Sequence, residues 1–385
     1  MSELSINKTC VITPVYPDEY FIERGIFVEN LVRDWKQQEM EVDVIAPKSI
    51  SNIIRGGFNK KRNHQQIAGD QIIQPYFITV SNKNLGILDL ELLSRRFFVN
   101  AVIKGLKKVD TPSFYYGKFL MRGGIAAIEA KKITGRPAFV DIGEYMLLQA
   151  MSRNEIEAAK KLIPEIDGIA CVSEKLSSDI IRLGADPKKI FVHPNTVDLN
   201  RFYPMDKNVC RKKLNLPQDK FLIIFVGHFI ERKGPHRIIN ALKSQTLKKL
   251  KAIFIGRGPQ KPSGNNVLHR GPVLNRDLPY WLNAADVFVL PTLNEGHCNA
   301  INEAMACGLP IISSNIPEIQ SQVPNETGIL VNPRNTRELR DAIITLKNNQ
   351  TLRKTMSNKA VEIQRERNST ARPTAVLEWI KNSLS

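Results

Sequence analysis

Two glutamates, Glu295 and Glu303, stand eight residues apart in the segment NEGHCNAINEAMACGLPIISS (294–314). An apolar run typical of a buried strand, VFVLPT, comes just before them, and the small and polar residues between them indicate the start of a helix. The first N–H groups of a helix have no partner within it and, together with the helix dipole, form a site for anions. Carboxylates beside such a site would repel an anion, but they would accept hydrogen bonds from sugar or ribose hydroxyls on either side of it. The spacing therefore predicts a pocket for a diphosphate that carries sugars.

The helix is expected to begin near Cys298 or Asn299, which leaves the N–H groups from Gly296 to Ala300 to form the anion site. Gly296 has no side chain, so a ligand can approach the backbone closely there. The alternative is structural: two solvated acids near a helix start stabilise the helix dipole without binding anything.

Short β-rich runs alternate with helical patterns along almost the whole chain, which predicts parallel sheets covered by helices on both faces. At 385 residues the chain exceeds the size of a single core. A proline- and charge-rich stretch, RFYPMDKNVCRKKLNLPQDK (201–220), is typical of a linker, and the pattern restarts after it. We therefore predict an α/β protein of two doubly wound domains, 1–205 and 206–369. The expected strands are TCVITPV, VDVIAP, QIIQPYFITV, GRPAFVDIG, IDGIACVS and KIFVHPNTVD, then FLIIFVGHF, LKAIFIGRGP, NVLHRGPV, ADVFVLPT, PIISS and GILVNP.

Basic residues are concentrated in two parts of the chain, which carries a formal charge of +17. Residues 206–385 hold 27 Lys and Arg against 14 Asp and Glu (+13), and residues 51–132 hold 14 against 5 (+9). Such fields attract nucleic acids, anionic lipids or phosphorylated small molecules. Nucleic acid is an unfavourable partner, because few aromatic residues accompany the basic stretches to stack bases.

The segment 90–108 predicts a basic amphipathic helix, with Leu93, Phe97 and Leu106 near one stripe. The basic residues expected around this stripe are Arg95, Arg96, Lys104, Lys107 and Lys108. Together with the basic loop RGGFNKKRNH (55–64), this helix suits an anionic membrane surface. The alternative is that its apolar face packs on the protein's own sheet, as in most amphipathic helices.

The remaining composition indicates a cytoplasmic protein. The first residues show no secretory signal, and no apolar stretch approaches the roughly 18 residues of a membrane-spanning helix. The five cysteines are scattered without paired spacing, which fits a reducing compartment. His297-Cys298 has no second ligand pair nearby, so we expect no bound metal.

The segment EGHCNAINEAMACGLPII resembles the E-x7-E signature of the retaining family 4 glycosyltransferases. Further stretches resemble that family in its order: VSEKL, HPNTVDLNRFYP, FVGHFIERKG, FIGRGP, LHRGPV, ADVFVLPT and TGILVNP. The resemblance is strong from about 189 to 333, and the opening ITPVYP…GIFVENLV is similar to members of bacterial surface-polysaccharide pathways, teichuronic-acid-type enzymes included. It implies the GT-B fold, in which two Rossmann-like domains face each other across a cleft. It also implies that the last helix, 370–385, crosses back to the first domain.

The resemblance implies a role for each matching residue. Glu303 would bind the ribose hydroxyls, Glu295 would bind the donor sugar, and Lys233 would neutralise the leaving diphosphate. The other residues implied at the donor are Gly227, His228, Gly271, Val273, Gly296, His297, Asn299, Ala300 and Ile301. The turn from Gly271 to Val273 would hold the nucleobase.

The chain departs from the family pattern at three places. A family arginine is replaced by His228, so either this histidine or Arg232 pairs with Lys233 at the diphosphate; an always-charged guanidinium suits phosphate better. Thr196 stands where the family has a glycine. Asp141 stands where a histidine often contacts the donor sugar, and it would act there, bind an acceptor hydroxyl, or merely lie near the N-cap of the following helix.

The implied activity is retaining transfer of a sugar from a nucleotide diphosphate to an acceptor hydroxyl of a lipid-linked or polysaccharide intermediate. The donor is expected to be a UDP-sugar, with guanine as an alternative base. Cations in place of a divalent ion imply metal-independent activity without a cofactor. The expected location is the inner face of the cell membrane, held peripherally. The alternatives are a GT-B sugar-nucleotide epimerase or phosphorylase and a catalytically silent scaffold.

Overall fold

The computed structural model describes residues 6–20, 24–56, 71–79, 90–143, 148 and 151–385. The strands are β1 Lys8–Ile12, β2 Glu41–Ile45, β3 Lys48–Ser49, β4 Ile72–Ile73, β5 Tyr76–Phe77, β6 Phe114–Lys118, β7 Ala138–Ile142, β8 Gly168–Cys171, β9 Ile190–Val192, β10 Leu222–Val226, β11 Lys251–Ile255, β12 Val267–Gly271, β13 Val287–Leu290, β14 Ile311–Ser314 and β15 Gly328–Val331. The α-helices are α1 Ile26–Gln37, α2 Ile50–Gly56, α3 Leu90–Leu106, α4 Ile125–Thr134, α5 Arg153–Leu162, α6 Glu174–Arg182, α7 Lys207–Lys213, α8 Pro235–Leu242, α9 Leu278–Ala284, α10 Asn299–Ala306, α11 Pro317–Gln320, α12 Thr336–Asn348, α13 Gln350–Arg367 and α14 Arg372–Leu384.

The chain divides into two compact units. Unit 1 comprises Met1–Pro194 and Arg372–Ser385, and unit 2 comprises Asn195–Ala371. The sequence analysis placed the boundary after residue 205, whereas residues 195–205 lie with unit 2. These residues stay there because the backbone of Val197 exchanges hydrogen bonds with the side chain of Asn368.

Unit 1 is built on a parallel sheet in the order β4-β2-β1-β6-β7-β8-β9. Its central strands are apolar on both faces; all five residues of β6 and of β7 are buried, as expected of a parallel sheet covered by helices. The final helix α14 packs on α1, where the indole N–H of Trp35 donates to the carbonyl of Pro373 (2.7 Å).

Unit 2 is built on a second parallel sheet, in the order β12-β11-β10-β13-β14-β15. The first strand of the unit, β10, lies in the middle, with β11 and β12 on one side and β13 to β15 on the other. This is the doubly wound order, and the chain reverses direction across the sheet between β10 and β13. The core on both sides is apolar, and Phe225, Phe254 and Phe288 are among its fully buried side chains. The prediction of an α/β fold with two doubly wound parallel sheets is confirmed.

The structure changes the predictions for the linker and for one strand. The expected linker 201–220 contains α7, which Asp206 caps through a hydrogen bond from the N–H of Val209 (2.8 Å). The expected strand QIIQPYFITV is broken into β4 and β5, with Pro75 between them. Proline has no N–H to donate to a ladder, and β4 pairs with β2 whereas β5 pairs with β3.

The helix predicted at 90–108 exists as α3, but its faces differ from the prediction. Arg95, expected among the solvated basic residues, is buried and paired with Glu155 and Glu91. Leu106 is half-buried and packs against the core, whereas Leu93 and Phe97 are exposed. The reason is geometric: α3 turns Phe98, Ala101 and Val102 toward the sheet, and these residues are buried. Residues 57–64 of the expected basic loop lie outside the described residues.

Within the described ranges, no helix has the length and apolarity needed to cross a bilayer. The five cysteines all lie in these ranges and are buried thiols.

Candidate functional site

The candidate site of unit 2 lies where β10 and β13 end side by side. Ligands of doubly wound sheets bind beyond the carboxyl ends of the strands, at the point where the strand order reverses. The chain leaves β10 into Gly227 and His228, and it leaves β13 into the loop that carries Glu295. Sheet order therefore brings together two segments that are about seventy residues apart in the sequence.

Glycines at the ends of neighbouring strands allow the turns that follow these strands to approach each other closely. A Cβ atom on Gly256, which follows β11, would lie 1.9 Å from the carbonyl oxygen of Gly227. Both residues have positive φ (147° and 157°), which favours glycine. The two turns can therefore pass each other closely.

Lys233, Arg232 and Glu295 form one ion-pair cluster at this edge. The Nζ of Lys233 lies 2.6 Å from Oε1 of Glu295, and Nη1 of Arg232 lies 3.3 Å from the same oxygen. The hydroxyl of Thr292 also donates to Oε1 (2.8 Å). All these contacts use Oε1, so among the described residues nothing donates to Oε2, although the residue is only 6% exposed. The arrangement holds a buried carboxylate between two cations and leaves one of its oxygens for a further donor.

The start of α10 presents unsatisfied N–H groups beside this cluster. The helix begins at Asn299, with Cys298 as its N-cap, close to the predicted start. The N–H groups of Gly296 and Asn299 donate to no atom of the described residues, and that of Ala300 meets only the sulfur of Cys298. Free N–H groups at a helix start carry a partial positive charge and bind anions.

A buried amide holds this helix start in place. The side chain of Gln322 accepts a hydrogen bond from the N–H of Cys298 (3.1 Å) and donates to the carbonyl of the same residue (2.7 Å). It also donates to Asn302 (2.7 Å). The Asn299 side chain accepts from Asn195 (2.9 Å). These bonds fix the helix start before any ligand arrives.

Glu303 lies one turn into α10, half-buried, and no described residue donates a hydrogen bond to its carboxylate. Burial raises its pKa to about 7, and the charge of Arg201 opposes this only in part. A carboxylate that is removed from water without donors of its own is costly. It is therefore well suited to receive hydroxyl groups of a ligand.

His228 stands beside the two cations with its side chain reaching solvent. The protein that surrounds the ring lowers the pKa of His228, and the charges of Lys233 and Arg232 lower it further. The imidazole is therefore neutral near pH 7 and can donate a hydrogen bond but supplies no charge. This favours Arg232 over His228 as the second cation, the preference stated from the sequence.

The turn after β12 carries the residues predicted at the nucleobase. Gly271 has a φ of 154°, and a Cβ atom on it would meet nothing within 4 Å. Val273 is half-buried and packs against the core of unit 2. The structure thus leaves open space above Gly271, next to a rigid apolar side chain. Ala300 and Ile301 belong to the first turn of α10; His297, like Gly296, lies on the loop before it.

Asp141 lies in unit 1, at the end of β7, inside a buried ion-pair network. It accepts hydrogen bonds from Tyr116 (2.5 Å) and Lys118 (2.8 Å) on one oxygen and from Arg372 (3.2 Å) on the other. Burial alone would raise the pKa of Asp141, but Lys118 and Arg372 overcome this effect and hold it well below its usual range. The network gives Asp141 a structural role, because it anchors the first residue of α14. Its part in catalysis stays a prediction, and the helix that it was expected to cap falls largely on residues 144–150, most of which lie outside the described ones.

Several residues of the site were missed by sequence reasoning. Thr292, Gln322 and Asn302 position the loop and the helix start, yet a single threonine or amide gives no signal in a sequence. Arg201 was assigned to the expected linker 201–220. In the structure, its positive charge lowers the pKa of Glu303. Within the described ranges no group of three or more His, Cys, Asp or Glu side chains is arranged to hold a metal ion.

Comparison with known proteins agrees with this geometry. Residues 206–362 match the family described as glycosyl transferases group 1. The chain is also 27% identical, over 350 residues, to a protein of Bacillus subtilis strain 168 named as the teichuronic acid biosynthesis glycosyltransferase TuaC, covering 87% of this chain and 88% of that protein. Residues 206–362 therefore form a glycosyltransferase group 1 domain, and the protein is a glycosyltransferase.

A second sequence relative and a solved structure are also similar to this glycosyltransferase. The UDP-Gal:alpha-D-GlcNAc-diphosphoundecaprenol alpha-1,3-galactosyltransferase of Escherichia coli is 29% identical over 282 residues, covering 67% of this chain and 70% of that protein. The crystal structure of Anabaena HepE in complex with UDP and glucose matches with a TM-score of 0.71 at 16% identity, over 98% of this chain and 99% of that one. The fold of the glycosyltransferase is therefore GT-B.

Proposed function

We propose that this glycosyltransferase moves a sugar, with retention of anomeric configuration, from a UDP-sugar to a hydroxyl of a lipid-linked or polysaccharide intermediate of a cell-surface glycan. One observation carries the proposal: no described residue donates to the Glu303 carboxylate, which lies in α10. The N–H groups of Gly296 and Asn299, at and just before the start of this helix, are also unused, and they follow Glu295 of the Lys233–Glu295 ion pair within four residues. A diphosphate flanked by a ribose and a sugar has complementary groups for all of these features.

Each group has a definite task in this proposal. Glu303 accepts the ribose hydroxyls, and Oε2 of Glu295 accepts a hydroxyl of the donor sugar. The N–H groups at the start of α10 receive the diphosphate. Lys233 and Arg232 neutralise the charge that develops as the diphosphate leaves, and they do so from fixed positions, which makes the stabilisation effective in the transition state. With two cations at hand the reaction is expected to proceed without a divalent metal.

The donor base and the acceptor class rest on the relatives. The Escherichia coli relative is named for a UDP-sugar and a diphosphoundecaprenol acceptor, and the Bacillus subtilis relative is named for teichuronic acid. The acceptor is proposed to bind in unit 1, in a cleft beyond the carboxyl ends of β1 and β2 that Tyr16, Arg24 and Lys48 line. The hydroxyl of Tyr16 is buried there and has no hydrogen-bond partner among the described residues. An unused buried hydroxyl suits a polar ligand, whereas Lys48 pairs with Glu19 and Arg24 donates to the carbonyl of Pro14.

The test is thermal stabilisation by UDP, UDP-sugars and GDP-sugars of the wild type, of Glu303→Ala and of Glu326→Ala. Glu326 is an exposed carboxylate of unit 2 and serves as the matched control. A ligand at a hundredfold excess over its Kd stabilises the folded state by about 2.7 kcal/mol. We expect UDP to stabilise the wild type and Glu326→Ala but not Glu303→Ala. If no nucleotide stabilises the wild type, the chain is a catalytically silent scaffold and the proposal fails.

The reaction itself is followed with the UDP-sugar that stabilises most, with and without chelator, and the anomeric proton of the product is read by NMR. Retention and insensitivity to chelator are expected. Donor consumption without an acceptor would instead identify an epimerase or a hydrolase.

A further inference from the structure

Exposed apolar side chains are concentrated in one part of unit 1. Of the fourteen large apolar side chains that are exposed in the described residues, seven lie between residues 50 and 97. They are Ile50, Ile54, Tyr76, Ile78, Leu92, Leu93 and Phe97, with exposed fractions from 36% to 59%. Single exposed apolar residues are normal, but a contiguous group marks an interaction site.

These seven side chains belong to elements that touch one another. Strand β3 leads directly into α2 and pairs with β5. The hydroxyl of Ser51 in α2 donates to the carbonyl of Thr79, just after β5 (2.7 Å). The ring of Phe77 in β5 meets the ring of Phe98 in α3, with centroids 5.5 Å apart. The elements that carry these residues therefore form one connected part of unit 1. We call it the α2–β5–α3 surface and define it by the seven side chains above.

The charge beside this surface is positive. Arg96 and Lys104 lie on the same side of α3 as Leu93 and Phe97, because positions 96, 97, 100 and 104 come three, four, seven and eleven residues after Leu93, which is the spacing of one helix face. Both are exposed, and neither forms an ion pair with a described residue. Lys107 and Lys108 follow, also exposed.

The acid of this helix does not offset that charge. Glu91, near the start of α3, is engaged by Arg95 (3.5 Å) and Arg122 (3.3 Å). The cations toward the other end of the helix are therefore left for an external anion.

We propose that the α2–β5–α3 surface docks the protein onto an anionic lipid bilayer. This inference rests on the proposed function, which places the acceptor in or near a membrane, and it names the surface that meets the lipid. The apolar side chains enter the boundary between headgroups and acyl chains, while Arg96 and Lys104 contact lipid phosphates. A protein partner or a second copy of the chain would cover the apolar part, but it would not call for a row of uncompensated cations beside it.

The experiment is co-sedimentation of the full chain with vesicles of phosphatidylcholine alone and of equimolar phosphatidylcholine and phosphatidylglycerol. Two double variants are compared with the wild type: Leu93→Gln/Phe97→Gln, and Arg96→Gln/Lys104→Gln. The matched control is Ile133→Gln/Ile181→Gln, which replaces exposed apolar residues elsewhere in unit 1 (59% and 41% exposed). All the changed side chains are exposed, so the fold should tolerate the changes.

We expect the wild type to bind the anionic vesicles and to bind neutral ones far less. Loss of the two half-exposed apolar side chains should weaken binding about tenfold. Loss of the two cations should weaken it about thirtyfold, because each contributes about 1 kcal/mol at an anionic surface. The control variant should bind as the wild type does.

Three results would overturn the inference: equal binding to neutral vesicles, equal loss in the control variant, or a dimer of the wild type that Leu93→Gln/Phe97→Gln converts to a monomer. Stabilisation by UDP is measured on the same samples and should be unchanged. Absence of vesicle binding with UDP stabilisation intact refutes the docking surface alone, whereas vesicle binding without UDP stabilisation refutes the proposed function alone.

Discussion

Replacing Glu303 by glutamine should make the protein more stable and at the same time remove most of its affinity for the nucleotide. Burial raises the pKa of this carboxyl from 4.5 to about 7, so the folded protein holds a proton there that the unfolded chain releases. Folding therefore loses stability as the pH rises from about 4.5 to about 7, and the loss is complete above the folded pKa. A difference of about 2.5 pKa units corresponds to at most about 3 kcal/mol. Because the Glu303 carboxylate is only half-buried, solvent screens its charge and the true loss of stability is smaller.

The glutamine variant carries no charge at any pH and escapes this cost. At pH 8 we expect Glu303→Gln to raise the free energy of unfolding by about 2 kcal/mol, and at pH 4.5 to leave it almost unchanged. The assay is urea unfolding between pH 4.5 and 8, followed by circular dichroism, with Glu326→Gln as the control that shows no pH-dependent gain. UDP binding is measured by calorimetry at the same pH values.

UDP binding should strengthen in the wild type as the pH rises through about 7, because the ionised carboxylate is the better acceptor for ribose hydroxyls. The glutamine variant should lose most of this affinity at every pH. The reasoning is refuted if Glu303→Gln is destabilising at pH 8, or if its gain is the same at both ends of the pH range. Either result would mean that the carboxylate already has partners in the folded protein.

Three further variants test other parts of the site. Lys233→Met should leave the fold intact, because Arg232 still pairs with Glu295. It should lower kcat by about a hundredfold in a donor-transfer assay. A change in KM alone would argue against a role in the transition state. Asp141→Asn should lower the free energy of unfolding by about 3 kcal/mol, because it leaves the buried cations Lys118 and Arg372 without their partner. It should not change the affinity for UDP. Normal stability with lost turnover would instead support the catalytic prediction. Gly256→Ala should lower both stability and UDP affinity, since its Cβ would lie 1.9 Å from a carbonyl oxygen, and wild-type behaviour would show that the turn can relax.

Most strands of unit 2 were predictable because they are buried on both faces; β12, at the edge of the sheet, is the exception. Such strands are short continuous apolar runs between turn residues, as in VFVL of β13, whose four residues are all buried. The start of α10 was predictable for a local reason too, since the small and polar residues before Asn299 end the strand pattern. Prediction failed where burial and local pattern disagree. Arg95 has the character of a surface residue, and only the packing of α3 buries it against Glu155.

The ion-pair contacts of the candidate site were not predictable, although most of its members were. Lys233 and Glu295 are 62 residues apart, and their contact depends on β10 and β13 being neighbours in the sheet. From the sequence, Glu295 was assigned to sugar hydroxyls and Lys233 to phosphate, as separate tasks. Likewise, nothing near Asp141 indicates that its partner is Arg372, which is 231 residues away.

The sequence by itself determined which segments form the strands of unit 2, which residue types line the carboxyl edge of its sheet, and the class of ligand that they suit. These properties follow from burial patterns and from the chemistry of single side chains, both of which are local. Only the tertiary structure decided that one oxygen of Glu295 is occupied by two cations, that no described residue donates to the Glu303 carboxylate, and that Asp141 is locked in a buried network. Charge and hydrogen bonding depend on distances between residues far apart in the chain, and those distances are set by sheet order and packing.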